Sequence, residues 1–181
     1  MTPVGSGEID LTGIDVPDRS AGLRGYLAAP EGTQPRPGVV VVFEAFGLDD
    51  EMRRHADRLA AMGYLALAPD LYSDGGAKRC VMSTFRALQA GSGRPFADLE
   101  AARQWLLADP RCSGRVGVIG FCMGGGFALL VANRGFGASA VNYNTEPRGA
   151  DAPDAAIAGA CPAAATSGGR DATTRGLPPP P

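Results

Sequence analysis

The chain has 181 residues, 45% of them hydrophobic and 20% charged, with a net charge of −2. That length suffices for one domain with a single core, and the near-neutral balance excludes a nucleic-acid-binding surface and a disordered, solvating chain. No apolar run approaches ~18 residues and the N-terminus has neither a basic start nor an apolar stretch, which predicts a soluble protein with no signal peptide and no membrane segment.

Residues 9–16 and 23–28 read as two early strands, the second stopped by Pro30. Residues 38–43, Gly-Val-Val-Val-Val-Phe, form a continuous β-branched run of the kind buried on both faces of a parallel sheet. Asp49 or Asp50 can then cap a helix through Met62, with Leu48, Met52, Ala56 and Leu59 on one face and Gly63 as its stop. Residues 64–69 are the next strand. Helices are predicted over 77–90 and 95–108, the latter with Phe96, Leu99, Arg103, Leu106 and Leu107 in helical period. A strand at 115–119, a helix over 123–133, a strand at 138–143 and a small-residue strand at 161–167 complete the series. This alternation predicts an α/β fold with a doubly wound, mostly parallel sheet.

Composition changes at the C-terminal end. From residue 145 onward, 12 of 37 residues are Gly or Pro, and the only large aliphatics are Ile157 and Leu177, so the stretch adds little core. Residues 1–171 are expected to form the single domain, and residues 172–181, ending in four prolines, a disordered tail of extended polyproline II character.

Cys80, Cys112, Cys122 and Cys161 show no paired C-x-x-C spacing, which argues against a zinc site and against a secreted disulfide framework, and predicts reduced thiols in the cytoplasm. Cys122 stands apart from the other three. The run Val116 to Gly126 reads as a strand turning sharply into a helix with cysteine at the corner, flanked by Gly120, Gly124 and Gly125. A nucleophile elbow demands glycine at such positions, because the two backbones pass too close for side chains. The corner sulfur then lies at the positive end of the helix, which favours a thiolate. The bland alternative is a small buried core cysteine. Neither a dinucleotide fingerprint nor a phosphate loop fits the glycine spacing.

Gly120-Phe121-Cys122-Met123-Gly124-Gly125, with Phe43-Glu44-Ala45-Phe46-Gly47, Ala56-Asp57-Arg58-Leu59-Ala60, Gly63-Tyr64 and Ala68-Pro69-Asp70-Leu71-Tyr72, resembles the dienelactone hydrolases over residues 38–171. The resemblance implies an α/β-hydrolase sheet and hydrolysis of a small ester or lactone, with a Cys-Asp-His triad and neither metal nor organic cofactor. Carried over, Cys122 is the nucleophile and Asp171 the acid that orients histidine. Glu44 is the carboxylate paired with the resting thiol, and the N–H groups of Ala45 and Met123 form the oxyanion hole. Glu44 as a solvated loop acid and Asp171 as a turn residue are the plain alternatives.

The pattern breaks at histidine. In the family it follows the acid by one more strand, with a final helix after it, whereas only ten residues follow Asp171 here. The single histidine, His55, falls inside the helix after the central strand, where roughly 8 Å of rise takes it from the sheet edge that holds the elbow. The expectation is therefore a fold lacking its last strand and helix, a truncated or frame-shifted chain, with an exposed edge at residues 161–167 and impaired activity. The competing expectation is a non-catalytic relative that binds a small acyl ligand or a protein partner. Arg79 and Arg86 are candidate anchors for an anionic substrate.

Overall fold

The computed structural model describes residues 6–32, 34–145 and 158–168. Among the described residues seven strands form one sheet: β1 (Gly7–Asp10), β2 (Arg24–Ala28), β3 (Arg36–Val42), β4 (Leu65–Pro69), β5 (Cys112–Phe121), β6 (Ser139–Asn142) and β7 (Ala163–Thr166). Their order is β1-β2-β4-β3-β5-β6-β7. β1 and β2 pair antiparallel to their neighbours, and β4, β3, β5, β6 and β7 are mutually parallel. The helices are α1 (Asp50–Ala61), α2 (Ala77–Ala90), α3 (Arg94–Ala108) and α4 (Met123–Leu130). None is long and apolar enough to cross a membrane.

The alternation in β4 explains how two layers of helix cover the sheet. Leu65 and Leu67 point into the larger core with Leu99, Leu106 and Phe127, while Ala66 and Ala68 face α1 through Ala56 and Ala60. Each fully buried leucine stabilises by ~2 kcal/mol, and the alanine face lets α1 approach closely. Asp49 caps α1 by accepting from the Met52 N–H at 3.0 Å; of the predicted face Met52 and Ala56 are buried and Leu48 and Leu59 partly buried, with Ala60 buried beside them. On α3 the buried stripe is Phe96, Leu99, Ala101, Ala102, Trp105 and Leu106, while the expected Leu107 is exposed.

Several expected boundaries move. The first strand, expected over 9–16, ends at Asp10, whose carboxylate accepts the Thr12 N–H at 2.7 Å and turns the chain. The helix expected to reach residue 133 ends at Leu130. β5 is longer than the expected 115–119, because Arg36 pairs with Cys112 at its start. β7 is shorter than expected, lies at the sheet edge among the described residues, and exposes all four of its residues. Residues 172–181 and the expected tail lie outside the described residues.

A buried acid latches the segment between β1 and β2 onto α3. Asp98 is fully buried and accepts the Ser20 N–H at 2.6 Å and the Ser20 hydroxyl at 2.8 Å. Burial pushes its carboxyl up to about 6 from 3.8, although the Ser20 donors pull the other way. A folded-state value above the unfolded one means stability present below about pH 4 and lost as pH rises through about 6. Thermal unfolding followed across that window should show the melting temperature of Asp98→Asn falling less with rising pH than the wild type's. Parallel slopes for the two proteins would remove this account of the latch.

Candidate active site

β3, β5 and β6 run parallel and adjacent, so their carboxyl ends bring three loop starts together, the usual location of a ligand site in an open α/β sheet. Cys122 follows β5 and precedes α4 with φ 52° and ψ −114°. A cysteine in such a conformation carries ~1–3 kcal/mol of strain, which the surrounding structure must enforce. Three hydrogen bonds do so. The Cys122 N–H donates to Asn142 O at 3.1 Å, and the Cys122 carbonyl accepts the N–H groups of Gly126 at 3.3 Å and Thr145 at 3.0 Å.

The turn is also tight enough to exclude side chains. A Cβ on Gly120 would stand 1.9 Å from Gly124 O, and one on Gly124 would stand 2.2 Å from Val42 O. Gly125 and Gly126 meet the backbone of residues 142–145 in the same way, at 2.8 Å from Asn142 O and 2.5 Å from Thr145 O. Gly126 is thus a fourth close-packed glycine beyond the three expected. The sequence Gly-Gly-Gly was its signal.

Cys122 is partly buried, with Sγ 3.8 Å from Thr145 Oγ1. Met123, fully buried, is the first residue of α4, so its N–H has no carbonyl to take up within the helix. Ala45 lies in the turn after β3. Its carbonyl accepts the hydroxyl of Tyr72 at 3.0 Å, and Tyr72 packs on Phe43 with ring centroids 4.9 Å apart, so this buried tyrosine braces the turn. Burial pushes its phenol up to about 12, and it stays a donor.

Glu44, also in that turn, accepts a hydrogen bond at 2.7 Å from the hydroxyl of Tyr143, which follows β6. Sequence reasoning assigned this carboxylate to the resting thiol and gave no role to Tyr143, Thr145 or Tyr72. Burial and then Glu44 push the Tyr143 phenol up to about 12, with Cys122 adding to the effect. Asp171 lies outside the described residues. His55 stacks on Phe121, the residue before Cys122, with centroids 4.6 Å apart and planes 23° apart, and its Nε2 is 3.7 Å from Glu51 Oε1. Arg79 and Arg86 are exposed on α2. Among the described residues no cluster of three His, Cys, Asp or Glu side chains is disposed to hold a metal ion.

The sequence model of the dienelactone hydrolase family matches residues 23–176. The chain is 32% identical over 142 residues to a carboxymethylenebutenolidase of Pseudomonas putida, covering 72% of this chain and 59% of that protein. It is 30% identical over 143 residues to carboxymethylenebutenolidase 1 of Cupriavidus pinatubonensis, with 72% and 60% covered. The chain thus spans about three fifths of the length of these relatives. Among solved structures, a dienelactone hydrolase-like promiscuous phosphotriesterase from metagenomic libraries superposes with a TM-score of 0.75 at 28% identity, covering 95% of this chain and 72% of that one. A dienelactone hydrolase of Anabaena variabilis shares the fold with a TM-score of 0.66 at 20% identity, covering 90% and 73%.

Proposed function

The chain belongs to the dienelactone hydrolase family, and from that premise we propose that it hydrolyses small esters or lactones with Cys122 as the nucleophile. The observation that carries this reading is the backbone of Cys122, held at φ 52° and ψ −114° with Gly120 and Gly124 closed behind it. Nothing in core packing asks a cysteine to adopt that conformation, whereas presenting a sulfur at the start of α4 does.

In the proposed reaction the Cys122 thiol releases its proton to water, Sγ attacks the carbonyl carbon, and the carbonyl π pair moves onto oxygen. The N–H groups of Met123 and Ala45 receive that charge, each contributing on the order of 3 kcal/mol to its stabilisation. The intermediate then collapses, the alkoxide leaves and takes up a proton, and a thioester remains for water to hydrolyse. Glu44 is assigned to hold the resting thiol neutral, and Asp171, by resemblance, to orient a base. The carboxymethylenebutenolidases among the relatives support a lactone as substrate, with Arg79 or Arg86 as the proposed anchor if it is anionic. The proposed setting is the cytoplasm, where the four cysteines, all free in this structure, stay reduced.

A second reading is a non-catalytic relative that binds a small acyl ligand or a protein partner. What favours it is His55, the one imidazole in the sequence, occupied by its stack on Phe121 and its approach to Glu51. Members of a triad act as a unit, so steady turnover of this chain is expected to be slow. Release of p-nitrophenolate from p-nitrophenyl acetate, measured against Cys122→Ala, separates the two. Release above that control supports the hydrolase, and none above it, alongside saturable ligand binding, supports the second reading.

A further inference from the structure

Glu44 follows β3 and Tyr143 follows β6, and the strand between those two in the sheet is β5, which ends at Cys122. The 2.7 Å bond from the Tyr143 hydroxyl to Glu44 Oε1 therefore reaches across the end of β5 where the thiol stands. Tyr143 is set there at a cost. Its φ of 37° is unusual for an aromatic residue, and is sustained by its N–H, which donates to Thr166 O at 2.7 Å, and by its ring, 6.2 Å from that of Phe121. Strain of this kind concentrates where a side chain must be aimed.

We propose that Tyr143 is a positioning residue for Glu44: by donating to Oε1 it limits how closely the carboxylate approaches Cys122 Sγ and so tempers the opposition of Glu44 to ionisation of the thiol. This rests on the reading of Cys122 as the nucleophile. A carboxylate free to approach a thiol opposes its ionisation, whereas one fixed by a hydroxyl donor keeps its charge partly compensated and at a set distance. The phenol, held up to about 12, donates throughout the neutral range. Among the described residues, Tyr143 and Thr145 from the segment after β6 and the N-terminus of α4 adjoin the thiol, Glu44 from the turn after β3 is bound to the Tyr143 hydroxyl, and His55, beside Glu51 on α1, is stacked on Phe121.

The test is the rate at which iodoacetamide labels Cys122, mapped by peptide mass and followed from about pH 6 to about pH 9, around the ordinary thiol range. Four proteins are compared: wild type, Tyr143→Phe, Glu44→Gln and the double variant. Tyr143→Phe removes one oxygen and keeps the ring that packs near Phe121. It should slow labelling at neutral pH by about fivefold and move the midpoint upward, Glu44→Gln should speed labelling, and adding Tyr143→Phe to Glu44→Gln should change nothing further. An unchanged rate and midpoint in Tyr143→Phe would overturn the proposal, as would no gain in Glu44→Gln or an equal effect of Tyr143→Phe when residue 44 is glutamine. If instead Cys80, Cys112 or Cys161 is labelled ahead of Cys122 in the wild type, the nucleophile reading itself fails.

Discussion

Gly124→Ala is expected to destabilise the chain by at least about 3 kcal/mol, lowering the melting temperature by on the order of 10 °C. The added Cβ would stand 2.2 Å from Val42 O and 2.6 Å from Phe43 O. Those are backbone atoms at the end of β3, a strand paired on both sides, so no rotamer change relieves the clash and β3 or α4 must shift. Gly13→Ala is the control. Nothing lies within 4 Å of a Cβ there, and the substitution should change the melting temperature by no more than a degree or two. Thermal unfolding by circular dichroism decides it, and equal melting temperatures for the two variants would mean that the close passage of strand and helix at the elbow is not as described.

The elbow was legible in the sequence because it is built by exclusion. Where two backbones nearly touch only glycine fits, so Gly120, Gly124 and Gly125 advertise the geometry around Cys122 within a few residues of it. The braces of the site were not legible. Glu44 and Tyr143 are 99 residues apart in the chain, and their bond exists only because β3 and β6 flank β5. No local pattern marks Tyr143 as the residue that turns out of β6 toward Glu44, or Tyr72 as the support of the Ala45 carbonyl. The expected strand over residues 9–16 failed for a related reason. Leu11 is fully buried and Ile14 and Val16 pack against the core, so the apolar spacing was real, but it reports burial and not ladder hydrogen bonds. In β4 both faces are buried, Leu65 and Leu67 in the larger core and Ala66 and Ala68 against α1, so burial and ladder pairing coincide there.

Acylation of Cys122 should be the chain's most pronounced chemical property. On the proposed reading the sulfur, at the start of α4, attacks the ester carbonyl and the Met123 amide beside it receives the oxyanion. Cys80 lies in the first turn of α2 and Cys112 and Cys161 at no helix start, none of the three has the strained corner of Cys122, and burial pushes the Cys161 thiol upward. Release of the acyl group requires a base to activate water, and His55 is stacked on Phe121 away from that task. The first step should therefore outrun the second, giving a burst of about one p-nitrophenolate per chain from p-nitrophenyl acetate, followed by a much slower phase. Cys122→Ala should show no burst. The most direct measurement is mass spectrometry of the acid-quenched protein taken during that slow phase and digested to peptides. One acetyl group on the peptide that contains Cys122 is the predicted result; acetyl on another cysteine, or nitrophenolate released with Cys122 unmodified throughout, would contradict the assignment of Cys122 as the nucleophile.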